Sequence, residues 1–548
     1  MNPSANMLQL SQGGLSLDVP DDYNATDNAT AKLDKQFIHY VANLTSFVYG
    51  SQSRQYALDV FTVEQTLASA SADPADMRDP YATYNNLTLA QLYALTPNIP
   101  AEAWQSYFKY AGIPLDYSSD SVVVNVAVPK FFAGLSSNIA ILTNQFQDFS
   151  MFSNYLRYKL LDFAAPHLST RFVDAHFNFY GTILSGQQQN SPLWKRCVQQ
   201  TDVSLGELLG RYFVSYAFSP AAKGLAEDMM TRIENAFRKN LPGELSSLLL
   251  FVLYWTLISN GLLGVDWMDD VTRKLAEEKL SMVAKLIGYP EHWKDYSDLN
   301  IDREAYLANV LATSQFAAED QFAQLPLPVD RYRWEMTTPT VNAYYEPSLN
   351  EIVFPAGILQ SPWFFDVDYP PQINYGGTAS AMGHELTHGF DDQGANYDGT
   401  GRLHQWWPQK VKDRFVERTQ CVADLYSGFE VLPGLFLNGN LTLGENVADI
   451  GGLHASYVAY ADYAASLPTP PPEVIPGIND KQLFFIAYAI SWCEIDTPEA
   501  LTRQVKSNPH SPAKFRVNGP VSQLPAFAEA FKCPATAPLN PPTRCNVW

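Results

Sequence analysis

The chain has 548 residues, of which 46% are hydrophobic and only 17% are charged, so it has enough apolar side chain for more than one core and is not expected to be disordered. Lysine and arginine number 36 against 57 aspartates and glutamates, which gives a net charge of −21. This negative charge argues against a nucleic-acid partner and against an anionic-lipid surface.

The start of the chain contains neither a basic cluster nor a sustained apolar run, so the chain as given shows no signal peptide and no N-terminal anchor. A membrane anchor is therefore expected only through a segment that precedes it. Five Asn-x-Ser/Thr sequons are typical of an extracellular glycoprotein, although each is a weak signal by itself. They begin at Asn24, Asn28, Asn43, Asn86 and Asn440.

Up to residue 325 most of the chain has helical patterns, with one clear exception. The run SVVVNVAV at 121–128 predicts a strand that is closed by Pro129. An amphipathic helix is predicted from apolar residues spaced four apart, which are Leu225, Met229, Ile233 and Phe237.

The segment 245–265 has 21 residues without a charge, which approaches the length that crosses a bilayer. Polar residues and glycines dilute it, and Glu244 and Asp266 flank it without a positive-inside pattern. A span would also place the sequons at Asn86 and Asn440 on opposite sides of the membrane. A buried helix, or a segment foreign to the mature protein, is therefore favoured over a membrane span.

A further helix is predicted from Leu275, Val283 and Leu286, ending near Gly288 and Pro290.

The character of the chain changes near residue 325. TTPTVNAYYEPSLNEIVFPAG predicts a β-hairpin that turns around Pro347, Ser348 and Asn350. Three further helices are predicted around residues 377–392, 443–465 and 482–493, with a proline-rich loop between the last two.

The segment GHELTHGFDDQG, at 383–394, is the most informative part of the sequence. His384 and His388 are four residues apart, so a helix presents both imidazoles on one face, where they can bind one Zn²⁺. Glu385 can reach a water at the open zinc position and accept its proton, which generates a hydroxide nucleophile near neutral pH. Two solvent-facing helix histidines remain the alternative at this point.

The third ligand tests this alternative. A metzincin needs a glycine and a histidine at the positions of Asp391 and Gly394, so that class is excluded. A later stretch, TLGENVADIGG, places Glu445 and Asp449 four apart, so one helix face can offer a ligand and a carboxylate that hydrogen-bonds an imidazole. Asp391 can do the same for His388.

Together these stretches resemble the neprilysin family of zinc metallopeptidases, family M13, which includes neprilysin and the endothelin-converting enzymes. The resemblance rests on several segments in the family's order, which are VNAYY (341–345), EIVFPAGILQ (351–360), GHELTHGFDDQG, GENVADIGG, KQLFFIAYAISWC (481–493), HSPAKFR (510–516) and the terminal CNVW.

The resemblance implies a role for individual residues. His384, His388 and Glu445 are similar to the ligands of one Zn²⁺ per chain, and Glu385 to the general base. Asp391 and Asp449 are similar to the carboxylates that hydrogen-bond the ligand histidines, and Asp449 is counted with the catalytic residues for that reason.

Other residues resemble those that handle the substrate. His510 matches the donor that stabilises the oxyanion of the tetrahedral intermediate, and Arg516 matches a guanidinium that grips a substrate carbonyl or carboxylate. Asn342 and Ala343 match the edge strand that pairs with the substrate main chain. Trp492, and less closely Trp363, match residues that line the pocket for a hydrophobic side chain.

The family fold implies a mainly α-helical protein with a small β-sheet in the catalytic lobe. A helical capping domain (1–325) and a thermolysin-like peptidase domain (326–548) are expected to enclose a central cavity. Such a zinc metalloendopeptidase, a gluzincin, is expected to hydrolyse short peptides on the amino side of hydrophobic residues, outside the cell or at the plasma membrane.

The cysteines match the family only in part. Cys421 and Cys545 match a pair that form a disulfide. Cys197, Cys493 and Cys533 match positions whose partners lie in an N-terminal segment that this chain does not contain, so the chain is interpreted as truncated. The family has no counterpart of 245–265, which we interpret as an unspliced or mispredicted insertion.

Two alternatives to a peptidase remain. A zinc-binding scaffold without activity is disfavoured because the expected ligands, general base and oxyanion donor are all present. A non-functional product of a damaged gene model is the second, since a helical lobe without its N-terminal part could fail to close.

Overall fold

The computed structural model describes residues 2–117, 119, 122–146, 149–241, 267–362 and 365–548. The uncharged run at 245–265 and Trp363 lie outside these residues. The fold is mainly α-helical, with small sheets, as predicted. No helix among the described residues combines the length and the apolar character needed to cross a bilayer.

The first half of the chain is built from ten helices in the described ranges. They are α1 Asn28–Tyr49, α2 Ser53–Ala70, α3 Leu89–Leu95, α4 Ala101–Tyr110, α5 Pro129–Phe146, α6 Ser150–Ala164, α7 Thr170–His176, α8 Leu193–Ala217, α9 Pro220–Asn240 and α10 Asp270–Ser281. Helix α9 contains the predicted stripe, whose members Met229, Ile233 and Phe237 are buried. The amphipathic helix is thus confirmed.

The second half contains α11 Tyr306–Phe322, α12 Pro371–Asn374, α13 Ser380–His388, α14 Gln409–Ser427, α15 Leu443–Ser466, α16 Asp480–Ser491, α17 Pro498–Ser507, α18 Ala513–Gln523 and α19 Pro525–Phe531. A π-helical turn, Tyr375–Ala379, joins α12 to α13. The three helices predicted here are present, with the first ending at His388 instead of near residue 392.

Among the residues that the structure describes, eight short strands form three small sheets. They are β1 Gln9–Leu10, β2 Asn86–Thr88, β3 Val123–Val126, β4 Ala284–Gly288, β5 Tyr344–Glu346, β6 Glu351–Pro355, β7 Glu430–Leu432 and β8 Leu435–Phe436. The predicted early strand is β3, and the predicted hairpin is the antiparallel pair of β5 and β6. In the second sheet the order is β4-β6-β5, so β5 is an edge strand.

The helix predicted to run to Gly288 is wrong in its second half. Helix α10 ends at Ser281, and Leu286 lies in β4, which pairs in parallel with β6. The apolar residues of this segment are buried by a strand that lies more than sixty positions later in the chain, a contact that local periodicity does not encode.

The described residues form three hydrophobic clusters. Two are built from residues between Leu8 and Leu184, and the largest from residues between Phe218 and Val547. Met229 and Leu280, which precede residue 325, belong to the largest cluster. The domain boundary at residue 325 stays a prediction, and below we call the two smaller clusters the N-terminal cores and the largest one the C-terminal core.

The disulfide implied for Cys421 and Cys545 is present, with Cα atoms 5.6 Å apart. It joins α14 to the end of the chain across 124 positions. Cys197, Cys493 and Cys533 are free thiols in the described chain.

Candidate metal centre and active site

The site is built where helices α13 and α15 cross. A Cβ on Gly452 would lie 2.4 Å from the backbone nitrogen of His384, and a Cβ on Gly383 would lie 2.6 Å from the carbonyl oxygen of Gly452. Only glycine permits two helix backbones to approach this closely. The crossing therefore brings the carboxylates of α15 to the histidines of α13.

The two histidines of α13 point their Nε2 atoms toward each other, 3.0 Å apart. The other nitrogen of each ring faces a carboxylate: His384 Nδ1 lies 2.8 Å from Asp449, and His388 Nδ1 lies 2.7 Å from Asp391. Because a carboxylate only accepts hydrogen bonds, each Nδ1 donates its proton to its own carboxylate, so each Nε2 can offer its lone pair when a metal ion instead of a proton lies between the two rings.

Glu445 completes this arrangement. Its carboxylate lies 3.3 Å from His384 Nε2 and 3.6 Å from His388 Nε2. A carboxylate oxygen of Glu385 also lies within 4.8 Å of the histidine nitrogens, so Glu385 is a second candidate for the third ligand. Glu445 faces both Nε2 atoms directly, so it fits the third ligand better than Glu385 does.

The donor set suits Zn²⁺. Two imidazole nitrogens and one carboxylate are the protein ligands of many catalytic zinc sites, which leave a further position open for water or substrate. The hydrogen bonds from each Nδ1 to a carboxylate fix the ring orientation that such a site needs. The residues present therefore fit a resident zinc ion.

The electrostatics of the cluster also favour a bound cation. Burial opposes a charge on His388, yet Glu445 and Asp391 outweigh it and raise its pKa well above the usual value. Burial would raise the pKa of Glu445, but the two histidines hold it well below the usual range. The cluster thus attracts positive charge at the point where its donor atoms meet, and a divalent cation can supply that charge in place of protons.

Glu385 follows His384 on the same helix and lines the cavity. Its side chain is buried, and burial raises the pKa of its carboxyl group, although the neighbouring histidines partly oppose this effect. A buried carboxylate beside the candidate ligands has the chemistry to take a proton from a water in the cavity.

Arg516 lies at the back of the site. Its Nε and Nη2 each donate to a different oxygen of Asp449 at 2.8 Å, and its guanidinium stacks on the ring of Trp492, 4.1 Å from the centroid. Burial lowers the pKa of Arg516, but Asp449 outweighs it, so the net shift is upward. Arg516 therefore fixes the carboxylate that orients His384 while it still lines the cavity.

His510 faces the open side. Its Nε2 lies 3.2 Å from Glu445, its Nδ1 lies 2.9 Å from the side-chain oxygen of Asn508, and the residue is exposed. It can therefore reach both the metal site and a ligand in the cavity.

The cavity in front of these residues has a volume of about 510 Å³. Asn342 and Ala343, directly before the edge strand β5, line it, and Trp492 and Tyr488 line it as well. Apart from the two cysteines, and from Trp363, which lies outside the described residues, every residue proposed for the site from the sequence lines this one cavity.

One residue of the site has no sequence motif that would have marked it. Arg78 reaches the cavity from the N-terminal part of the chain and donates to Asp392 at 2.9 Å. The doubled aspartate of GFDDQG is the one signal that could have indicated a buried cationic partner.

The sequence of the chain matches known proteins over most of its length. Two sequence profiles, both described as Peptidase family M13, match residues 1–290 and 342–547. An endothelin-converting enzyme homolog of Locusta migratoria is 36% identical over 99% of this chain and 72% of its own length. Human endothelin-converting enzyme 1 is 34% identical over 100% of this chain and 68% of its own length.

Solved structures show the same likeness. The zinc metalloprotease Zmp1 of Mycobacterium tuberculosis, in complex with an inhibitor, superposes with a TM-score of 0.87 at 31% identity, covering 100% of this chain and 78% of its own. PepO from Lactobacillus rhamnosis superposes with a TM-score of 0.83 at 26% identity, covering 98% of this chain and 78% of its own.

Proposed function

The chain belongs to peptidase family M13 and is a metallopeptidase, and we propose that it is an endopeptidase dependent on one Zn²⁺, which His384, His388 and Glu445 would hold. The observation that carries this proposal is the convergence of two imidazole Nε2 atoms and one carboxylate within 3.6 Å of one another. When bound, Zn²⁺ would lower the pKa of a water and stabilise negative charge on a carbonyl oxygen.

Glu385 is the proposed general base. Its carboxylate lies beside the two histidines and faces the cavity, where it can accept the proton of the attacking water and pass it to the departing amine. Asp391 and Asp449 hold the histidine rings in the required tautomer and orientation, through hydrogen bonds of 2.7 and 2.8 Å.

His510 and Arg516 are proposed to act on the substrate carbonyl groups. His510 is exposed to the cavity and, with both ring nitrogens protonated, can donate from Nε2 to an oxygen on which negative charge develops while Nδ1 donates to Asn508. The guanidinium of Arg516 is already fixed by Asp449, so it can present a further N–H to a substrate carbonyl or carboxylate without losing more rotamer freedom.

The substrates are proposed to be short peptides, cleaved on the amino side of a hydrophobic residue. Asn342 and Ala343 directly precede the edge strand β5 and line the cavity, where the main chain of an extended peptide can pair with them. The ring of Trp492 lines the cavity and offers an apolar surface for a side chain. A cavity of about 510 Å³ admits a few residues and not a folded protein.

We further propose that the chain works outside the cell or as an ectodomain at the plasma membrane. The disulfide between Cys421 and Cys545 favours an oxidising compartment. The five sequon asparagines are all exposed, as glycosylation requires.

The test replaces Glu385 by glutamine in the full-length protein. We expect Glu385→Gln to keep its zinc and lose at least about 1,000-fold in kcat on a small hydrophobic peptide, because only the proton acceptor is removed. A zinc chelator should abolish turnover of the wild type. Glu417→Gln, at an exposed position on α14, is the matched control and should keep wild-type kcat.

Three results would contradict the proposal in different ways. Folded, zinc-loaded wild type with no turnover on a broad peptide library would favour a zinc-binding scaffold. Wild type that does not fold would favour a damaged gene product. Full activity of Glu385→Gln would show that another group is the base.

A further inference from the structure

Arg78 joins the N-terminal part of the molecule to the metal site. It ends the short 3₁₀ turn Asp76–Arg78, and the neighbouring Met77 packs against one of the N-terminal cores. The guanidinium of Arg78 crosses to the C-terminal core, where its Nη2 lies 2.9 Å from both carboxylate oxygens of Asp392. Both side chains are mostly buried, with 13% and 23% of their surface exposed.

Three chain segments meet at this contact. A Cβ on Gly444 would lie 2.6 Å from Nη2 of Arg78, 2.8 Å from Asp392 and 2.9 Å from Asp391. Gly444 immediately precedes Glu445. The arginine therefore touches the start of the helix that carries the third proposed ligand and the loop that carries the partner of His388.

Arg78 also contacts the loop after His388. Asp391 uses Oδ2 for His388 and Oδ1 for the backbone N–H groups of Gln393 and Gly394. Gln393, with its amide oxygen turned toward Arg78, accepts from both terminal nitrogens of the guanidinium at 3.2 Å. Arg78 thus binds the residues on the C-terminal side of Asp391.

Arg78 lies among several carboxylates. Asp391, Asp392 and Glu445 place three carboxylates close to one another, and all three contribute to the electrostatic environment of Arg78. Without a cation there, these carboxylates would repel one another. Asp391 and Glu445 would also lose the positively charged neighbour that they share.

We propose that Arg78 is a positioning residue that fixes Asp391 and Glu445 relative to each other, so that docking of the N-terminal part completes the metal site. This inference rests on the proposed zinc-peptidase function. Its consequence is that the tightness of zinc binding, and not only access to the cavity, depends on a residue more than 300 positions away from the ligands in sequence.

A second ion pair between the same two parts of the molecule provides a control. Arg503 on α17 donates to both oxygens of Asp18 at 2.6 Å and also to Ser185. Within the described residues its side-chain hydrogen bonds go to these two partners and to none of the proposed metal ligands. Loss of this pair weakens docking without removing a contact to the metal site.

The experiment compares four full-length, zinc-loaded variants with the wild type: Arg78→Met, Arg78→Lys, Asp392→Asn and Asp18→Asn. For each, the half-time of zinc transfer to a chelating indicator is measured together with kcat, KM and the unfolding temperature. We expect Arg78→Met and Asp392→Asn to release zinc about 10-fold faster and to lose kcat with little change in KM. Arg78→Lys should lie between them and the wild type, and Asp18→Asn should release zinc at the wild-type rate.

Several results would contradict the proposed role of Arg78. Equal zinc release from Arg78→Met and Asp18→Asn would show only general docking and overturn the inference. A raised KM with unchanged zinc release would assign Arg78 to substrate binding instead. If Arg78→Met does not fold, Asp392→Asn decides by the same criteria. Wild type that holds no zinc would overturn the proposed function and this inference with it, whereas zinc-loaded active wild type with unaltered variants would overturn the inference alone.

Discussion

Replacing Gly452 by alanine tests the crossing of α13 and α15, which creates the site. The added Cβ would lie 2.4 Å from the backbone nitrogen of His384, 2.8 Å from its Cα and 2.8 Å from the carbonyl oxygen of Ser380. All three are backbone atoms of one helix, so no side-chain rotation can relieve the overlap. The helices must move apart.

The size of the movement follows from these distances. Non-bonded carbon atoms normally approach to about 3.5 Å, so α15 must shift by about 1 Å. Overpacking of this kind costs about 1–3 kcal/mol of folding free energy. The same shift moves Glu445 away from the histidines, and a misplacement of about 1 Å in a reacting site costs on the order of 100-fold in rate. We therefore expect Gly452→Ala to fold with a lower unfolding temperature, weaker zinc binding and a kcat reduced by about 100-fold.

The matched control is Gly224→Ala. Gly224 lies in α9, and a Cβ there would meet nothing within 4 Å. This variant should gain about 0.5–1 kcal/mol from helix propensity and keep its activity. Thermal unfolding, competition with a zinc chelator and peptide turnover are measured for both. Wild-type zinc affinity and kcat in Gly452→Ala would refute the claim that backbone contact sets the ligand geometry.

Three further predictions concern other buried groups. Glu351 is buried and is paired with Glu346 on the neighbouring strand. Burial raises the pKa of Glu351 to about 8, and the negative charge of Glu346 is the second-largest cause. Because the folded-state pKa lies above the unfolded one, the wild type should lose about 4 kcal/mol of stability relative to Glu351→Gln as pH rises from about 4.5 to 8. The free energy of unfolding of both proteins is measured by denaturant titration at the two pH values. An equal difference between the two proteins at both pH values would contradict this prediction. Replacing Cys421 and Cys545 by serine should lower the free energy of unfolding by about 5 kcal/mol, measured by denaturant titration, because a loop of 124 positions is released. Arg516→Lys should lower the free energy of unfolding by about 2 kcal/mol and weaken zinc binding, because lysine cannot make the bidentate contact to Asp449. An unchanged midpoint of denaturant unfolding together with unchanged zinc affinity would count against this prediction.

The sequence alone determined the features that depend on local spacing. His384 and His388 share a face because they are four residues apart on a helix, and the same holds for Glu445 and Asp449. The stripe of α9 and the hairpin of β5 and β6 were also predictable, because each is encoded by a periodicity within about twenty residues. The resemblance to a family then suggested roles for His510 and Arg516, which no local pattern distinguishes from surface residues.

Tertiary structure decided the features that depend on contacts between distant segments. Leu286 lies in a strand and not in a helix because β6 lies beside it, and Arg78 belongs to the site because the N-terminal part packs against the loop after His388. The distance from Glu445 to the histidines is set by the backbone contact of Gly383 with Gly452. A short motif specifies which side chains share a face, but only the packing of helices and strands fixes how far those faces are from one another.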